Sequence, residues 1–504
     1  MNYKLALFFL WFAITNLQSQ KINFNKGEVV KDRLFLRDKN EISITDDTGN
    51  FYTIRPERSS GSFYNYFVEF YNDVDFTERI KIKSAKKIKI LKTFIKNRKI
   101  YLFIKEELKK GFSLRFDIID IQNKTQTQKG VLKVYKKSNP SFYKSLKEDS
   151  FIYLDYGTNI VLSIPVREDK KTFVFVKVLS KSLETLSEHK IFADENLSSK
   201  FTRYLSTIQF KNKIYFLFNL SINKKDRIYR MIELKDEKKK TLDIPIASNT
   251  YELIATKVKN SELVISGLYS KKVKGGFEGV TYYKIDLNTF SLNTQKQRVF
   301  KNDKIKNYFK GLFRNNRSID IKNIFLDEDL NTYLVSQFYI IRRQNIPIGI
   351  PIATIGSSVL ITYNPISIKY KLYDDLFICK INNNGDLDWE KSLEFAEIER
   401  TSSRSNKKDS SVFAFLHENN INLLVNGYIN SNAKKVIIKQ DRRFSITKFY
   451  NVKIDSTGTM YLKTIFSNKD SDIIFRAGQT VKFDTILYNL GQGNMRKQLL
   501  KIKF

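Results

Sequence analysis

The sequence predicts an all-β chain, a β-propeller of seven or eight four-stranded blades, on three observations. After residue 40, short runs rich in Ile, Val, Phe, Tyr and Leu alternate with polar residues almost everywhere. The runs come in pairs, broken by turns of Asn, Asp, Lys and Gly, which is the pattern of β-hairpins. The pairs recur, their first members starting near residues 51, 99, 159, 213, 262, 332, 421 and 481. A repeated strand unit of this length is the signature of a propeller, in which each sheet buries its two faces against its neighbours.

Taken from the start, residues 1–19 read as a secretory signal. Lys4 supplies the positive charge, residues 5–14 an apolar stretch, and residues 17–19 a small-residue cleavage site before Gln20. That stretch is too short to span a bilayer, which takes roughly 20 apolar residues. No later segment looks like a membrane span. The expected location is therefore periplasmic, outer-membrane-associated or secreted. A vague first unit lies between residues 51 and 82. Clearer pairs follow: 99–103 with 112–121, 159–165 with 172–179, 213–219 with 227–234, and 262–269 with 280–285. Then come 332–341 with 375–381, 421–429 with 446–454, and 481–490 with 496–504. The last unit lacks a fourth strand, and residues 26–38 are the candidate to supply it, so that the N- and C-terminal strands close the ring and remove its free edges. Residues 20–504 then form one domain, because units that cannot bury their faces alone leave no linker.

Two other β architectures compete. The terminal LLKIKF before Phe504 resembles a barrel assembly signal, but Lys and Arg fall on both faces of residues 79–92, where a barrel needs an apolar outer face. Two stacked sandwiches would need a linker.

The turn after each strand pair also repeats, as IDLNTF at 285–290, KINNNGDLDW at 380–389 and KIDSTGTMY at 453–461. The stretch KINNNGDLDWEKSL, entered from YDDLF at 373–377, resembles the repeat of secreted bacterial propellers of the delta-60 or kelch-like type. GGFEGVTYYKIDLNTF at 275–290 and NVKIDSTGTMYLKTIF at 451–466 resemble further copies. The resemblance implies a propeller fold and export, and it brings no activity. TDDTGNFY at 45–52 is similar to the Asp-box turn of sialidase-like propellers, with Thr45, Asp47, Gly49 and Tyr52 at its spacing. In those proteins the box is a structural hairpin.

Composition narrows the chemistry. With 42% hydrophobic residues, 40 Phe and 27 Tyr against 19 Gly and 7 Pro, the chain is globular. One cysteine excludes a disulfide framework and Cys-rich metal sites. Nucleophilic catalysis needs a base beside the nucleophile, and only His189 and His417 are available, with no G-x-S-x-G motif. Cys379 lies inside a strand, as a buried core residue would. Residues 327–331 (DEDLN) place side-chain oxygens at alternate positions, as a calcium loop does. They lack its later Gly and Glu and read as a turn. Glu394, Glu397 and Glu399 are candidates for a glycosidase carboxylate pair, against a solvated charged stretch. Residues 275–279 (GGFEG) precede a strand and cradle no phosphate. No cofactor is expected.

Binding is better represented. The chain carries 88 Lys and Arg against 53 Asp and Glu, a formal charge of +35. Residues 79–110 hold thirteen of those cations and two acids, and a second cluster spans 224–240. Lys86, Lys87, Lys89, Lys92, Arg98 and Lys99 are the candidate polyanion contacts, with aromatics interleaved at Phe94, Tyr101, Phe103 and Phe112. Strand alternation should bury most of those rings away from the lysines, and Lys-for-Arg usage argues against nucleic acid. Residues 344–367 (QNIPIGIPIATIGSSVLITYNPIS) are uncharged in a chain that is 28% charged, and hold three of its seven prolines. Inserted between two strands, this segment is either a self-packed hairpin or a partner contact through Ile346, Pro347, Ile348, Ile350, Pro351 and Ile352. The expected function is a non-catalytic extracytoplasmic binding or scaffold module, a monomer whose partner is an envelope or extracellular protein or glycan. The alternatives are a glycan-acting enzyme and a polyanion binder.

Overall fold

The structure, a computed structural model, describes residues 22–31, 42–56, 65–83, 88–135, 152–156, 159–180, 182–211, 213–223, 226–235, 238–271, 276–311, 317–355, 358–399, 412–429, 438–439, 448–470, 473–493 and 496–504. Eight four-stranded antiparallel blades follow one another, and within the first seven the four strands pair in chain order. Blade 1 runs from strand Ile42–Thr45 to Asp75–Lys83, blade 2 from Ile88–Lys96 to Gln126–Tyr135, and blade 3 from Ile152–Tyr156 to Thr185–Phe192. Blade 4 runs from Thr202–Phe210 to Lys238–Ile246 and blade 5 from Tyr251–Lys259 to Ser291–Val299. Blade 6 runs from Arg317–Leu326 to Leu387–Leu393 and blade 7 from Val412–His417 to Met460–Ser467. First strands of successive blades touch, so they line the axis and the fourth strands form the rim.

Eight apolar clusters hold the ring, one in each gap between neighbours. Ile54 and Tyr66 of blade 1 pack with Leu102 and Ile104 of blade 2, for example, and Tyr229 and Met231 of blade 4 with Ile265 and Tyr283 of blade 5. The last cluster sets Phe51 and Tyr71 of blade 1 against Tyr488, Leu490 and Leu499 of blade 8. The circle is complete. The fold is an eight-bladed β-propeller, and both the barrel and the paired-sandwich alternatives fall.

Closure uses both chain ends, as expected, but not the expected residues. Blade 8 takes three strands from the C-terminus (Val481–Phe483, Ile486–Gly493, Arg496–Lys503) and its outer strand from Asn23–Lys26, registered Asn23↔Lys503 to Lys26↔Leu500. A two-residue strand, Val30–Lys31, adds to the same edge. Closure therefore begins before residue 26, and residues 32–38 of the expected strand lie outside the described residues. The run at 481–490 is likewise not one strand. Asp484, at φ 50°, turns it into a hairpin pairing Val481 with Tyr488.

The larger correction concerns strand order. Apart from that at 481, the runs read as first strands are second strands: Phe51–Pro56, Lys99–Leu108, Asn159–Glu168, Lys213–Ser221, Glu262–Ser270, Thr332–Ile355 and Asn420–Ile429. Second and third strands are covered on both faces and both edges, so they read as near-continuous apolar runs. First and fourth strands, such as Lys238–Ile246 (KKKTLDIPI), are polar enough to disappear into the turns.

This topology gives the ring two unlike ends. Turns joining strands 1 to 2 and 3 to 4 lie at one, the turn end. Turns joining 2 to 3 and the blade-to-blade connections lie at the other, the crossover end. One helix, Asp303–Gly311, sits in the connection between blades 5 and 6, with Phe309 inserted among Phe277, Phe300, Phe338 and Phe377. Blades 6 and 7 are also stitched by Phe395–Glu399 running parallel to Ile438–Lys439. Among the described residues, no helix is long and apolar enough to cross a membrane.

Candidate ligand-binding cleft

Alternation along blade 4 sorts its side chains. Arg203, Asn219 and Tyr229 are register partners across the first three strands, and Ser221 pairs with Arg227. All five share the face turned to blade 5, where Tyr229 meets Tyr283 edge-on at 5.6 Å. Deep in the gap this face is apolar. Towards the crossover end it turns polar, and the two blades part around a cleft of about 230 Å³. Its walls include Lys200, Phe201, Arg203, Arg227 and Asn219 on one side and Tyr251 and Glu252 on the other.

Glu252, on the first strand of blade 5, anchors the floor. Its carboxylate accepts hydrogen bonds from the Tyr229 hydroxyl (2.7 Å), Thr281 Oγ1 (2.8 Å), the Tyr283 hydroxyl (2.9 Å) and Gln297 Nε2 (2.9 Å). Burial, then the neighbouring Glu252 charge, pushes both phenols well above their ordinary value, so they remain donors at any physiological pH. The reach depends on Gly267, which lies in the row Ile254–Gly267–Thr281–Gln297. A Cβ there would stand 1.9 Å from the Leu253 carbonyl oxygen, so any side chain would push the first strand away.

The cations opposite are differently placed. Neighbouring blade 4 cations are committed: Arg230 forks onto Asp243 (2.7 Å) and Lys213 pairs with Glu233 (2.9 Å). Among the described residues Lys200, Arg203 and Arg227 have no ion-pair partner, although Arg227 is only half exposed. Phe201 is 46% exposed, and the Ser221 amide bonds the Phe201 carbonyl (2.8 Å), which sets the ring at the cleft mouth. An unpaired guanidinium pair, a free ammonium, an exposed ring and amide and hydroxyl groups around one concavity suit a small ligand that is anionic and carries hydroxyls.

The residues singled out from sequence are dispersed. Lys86 and Lys87 lie outside the described residues. Lys89 and Lys92 stand on the first strand of blade 2, and Arg98 and Lys99 where the chain turns into the second, roughly 23 Å from Lys89 and roughly 13 Å from Lys92 at strand spacing. Phe103 and Phe112 are buried between blades, as alternation required. Residues 344–367 form a hairpin continuous with their blade. The second and third strands of blade 6, Thr332–Ile355 and Ser358–Ile381, run on past the blade as a ribbon, with Ile346 opposite Ile366, Pro347 opposite Pro365, Ile348 opposite Asn364, Ile350 opposite Thr362 and Pro351 opposite Ile361, and Ile352 at a bulge. Of the segment's candidates only the backbone is described.

The two histidines and the cysteine do not meet. His189, on the rim strand of blade 3, contacts Ser187 Oγ (3.0 Å), while His417 ends the first strand of blade 7, 3.8 Å from Glu418. Cys379 is fully buried, and burial pushes its thiol up, away from the reactive thiolate. Glu397 and Glu399 are described by their backbone strand alone. Among the described residues, no group of three metal-ligating side chains converges.

The DEDLN segment is a turn of a recurring kind. Asp327 accepts the Asn331 amide (2.8 Å), Asn331 Nδ2 (2.9 Å) and the Tyr333 hydroxyl (3.2 Å). Asp46 makes the matching set with Asn50 and Tyr52, and Asp455 with Thr459 and Tyr461. In the Asp-box-like segment the working carboxylate is thus Asp46, not Asp47, because only position 46 faces back into its own turn.

The cleft went unseen in the sequence for a physical reason. Its cationic wall joins Arg203 to Arg227, and its floor joins Glu252 to residues up to 45 positions away. The one visible trace was the cationic cluster at 224–240, which contains Arg227.

No protein-family model matches the sequence, and no curated protein is similar to it. Among solved structures, the polysaccharide lyase Uly1 aligns at 9% identity over 88% of this chain and 93% of its own, with a TM-score of 0.40. The α-L-arabinofuranosidase arb93a from Fusarium graminearum aligns at 7% identity over 71% and 93%, at 0.32. The S. cerevisiae core factor aligns at 9% over 95% and 60%, at 0.34. Likenesses this distant say nothing of activity.

Proposed function

We propose that the chain is an exported binding propeller of the cell envelope that holds an acidic sugar unit in the cleft between blades 4 and 5. One observation carries the reading: Lys200, Arg203 and Arg227 surround a concavity and have no ion-pair partner among the described residues, beside an exposed aromatic ring. A guanidinium pair matches a carboxylate or sulfate, Phe201 offers a stacking surface for a sugar face, and Asn219 and Ser221 reach hydroxyls. Export rests on the leader-like residues 1–19. Binding without turnover is favoured over hydrolysis because two-carboxylate chemistry needs a second acid. Glu252 is the single carboxylate among the lining residues, and four neutral donors already occupy it.

Calorimetry with acidic and neutral oligosaccharides tests this. The wild type should bind the acidic set and release no product. Arg203→Ala combined with Arg227→Ala should weaken binding at least about tenfold, the scale of losing a charge-assisted contact pair. Equal affinity of the double variant would discard the cleft as the site. Release of shortened products would replace the binding reading with an enzymatic one.

A further inference from the structure

The second and third strands of blade 6 carry a feature that no other blade shows among the described residues. Strand Arg317–Leu326 pairs with Thr332–Ile355 only as far as Ile340, and Leu387–Leu393 pairs with Ser358–Ile381 only from Leu376 onward. Phe395–Glu399 adds contacts at residues 371–373. Beyond that, residues 344–355 and 358–367 pair only with each other among the described residues. From Ile341 to Ile355 the ribbon is 15 residues long, roughly 45–50 Å at strand spacing. It leaves the ring at the crossover end, the end that bears the cleft.

A two-stranded ribbon is marginal alone in water. Its edges are poor templates for another strand. Proline has no amide hydrogen, so Pro347 facing Pro365 marks a row without hydrogen bonds between the strands, whose N–H positions point outward. Pro351, four residues on, lies in the same phase. Both edges therefore carry prolines where an added strand would need donors, and strand addition by a partner or by a second copy is disfavoured. Contact is left to the faces.

Charge says what the faces meet. The 24 residues from 344 to 367 include seven isoleucines and no charge. At their base stand Arg342, Arg343, Lys369 and Lys371, with Arg343 opposite Lys369 and Arg342 opposite Tyr370. Along the ribbon itself the first acids, Asp374 and Asp375, come only where it rejoins the blade, while Glu399 of the neighbouring strand lies opposite Lys371. An apolar tip above a cationic collar, with tyrosines at 363 and 370, is the charge and polarity profile of an element that enters a lipid interface and meets anionic headgroups.

We infer that the residue 344–367 ribbon docks the propeller onto an anionic lipid surface, its apolar tip entering the interface and the collar of Arg342, Arg343, Lys369 and Lys371 binding headgroups. The depth is interfacial. An open-edged ribbon spanning the bilayer core would leave backbone groups unpaired in hydrocarbon. The proposal is independent of the cleft and its ligand.

Vesicle co-sedimentation of the full chain tests it, with phosphatidylcholine vesicles and with vesicles containing phosphatidylglycerol. Three further proteins are compared: one with residues 344–367 replaced by a two-residue turn, one with the four collar cations changed to Glu, and Tyr363→Trp. Wild type should bind the anionic vesicles. Shortening the ribbon and reversing the collar should each weaken binding on the order of a hundredfold. The indole emission that Tyr363→Trp adds should shift to the blue on binding and be quenched by brominated lipid. Unchanged binding after shortening would mean that the net positive charge suffices and would overturn the proposal. So would failure of the wild type to bind, or a wild-type dimer that becomes monomeric on shortening, since the ribbon would then cover a second copy.

Discussion

Glu69 shows what a single residue does at the seam where the ring closes. It sits on the third strand of blade 1, fully buried, and three cations converge on it. Arg79 approaches at 2.6 Å, Arg55 at 3.4 Å and, from blade 8, Lys497 at 2.7 Å. Burial alone would push the Glu69 carboxyl up, but Arg55, Lys497 and Arg79 outweigh it and hold it at about 2. Burial drives Lys497 the other way, down to about 8 despite Glu69, and its ammonium also lies 4.0 Å from the Phe76 ring centre. The two partners are not equivalent. Glu69→Gln leaves two buried cations, Arg55 and Lys497, and the partly exposed Arg79 facing one another and should cost about 3–5 kcal/mol at neutral pH. Lys497→Met leaves Glu69 with both arginines and should cost about 1–2 kcal/mol, mostly the lost cation–π contact. The sign with pH follows from the depressed carboxyl. The unfolded chain takes up that proton first, so the contribution is complete above about pH 4.5 and is withdrawn as pH falls towards 2. Urea titrations at several pH values should therefore show the gap between wild type and Glu69→Gln closing over that window. A constant gap would mean that Glu69 is not charged in the folded protein.

At the level of elements, the blades are joined by a repeated contact at the turn end. A polar-tipped aromatic of one blade donates to a main-chain carbonyl in a turn of the next. Tyr215 bonds the Leu287 carbonyl (3.0 Å), Tyr333 that of Asn419 (3.1 Å), Trp389 that of Ser456 (2.9 Å) and, across the closure, Tyr488 that of Gly49 (2.9 Å). In the Trp389 case the turn also presents Gly458 at φ +83°, where a Cβ would lie 2.9 Å from the indole. Gly458→Ala combines a disfavoured backbone with a clash and should destabilise by about 1–3 kcal/mol. Trp389→Phe loses one hydrogen bond and should destabilise by about 0.5–1.5 kcal/mol. Urea midpoints check both, and a neutral Gly458→Ala would show that the turn relaxes away from Trp389. These contacts mark the limit of what the chain discloses when read linearly. The turn residues Asp455 and Gly458 were visible as a repeat, because turn chemistry is local. Their attachment to Trp389, 67 positions earlier in the chain, was not. The doubly covered second and third strands were legible for the same local reason, as with Glu262–Ser270, all but one of whose residues are buried. The rim strands and the cleft, whose composition resembles any solvated surface, were not.

For the whole molecule, everything rests on circularity, and the Asn23–Lys26 strand, none of whose residues is buried, is where circularity can be tested. Its own burial pattern is exposed throughout, so local packing predicts that its loss is mild. The ring predicts otherwise. The strand covers the outer edge of Arg496–Lys503, whose Leu499, Leu500 and Ile502 belong to the clusters facing blades 1 and 7. Removing residues 22–31 opens that edge and loosens the third strand of blade 8. That strand carries Lys497 to Glu69 and, through blade 8, Tyr488 to Gly49. Both inter-blade links and the small apolar cluster at the seam weaken together. In a closed ring each blade is supported from two sides, so loosening one interface lowers the stability of all eight in one cooperative step. The shortened chain should therefore unfold at a lower urea concentration in a single transition, and the exposed edge should promote self-association. Supplying a peptide of residues 22–31 in excess should restore the midpoint by mass action. A midpoint unchanged by the deletion, or a biphasic transition in which blade 8 melts alone, would show that the seam is not an integral part of the ring.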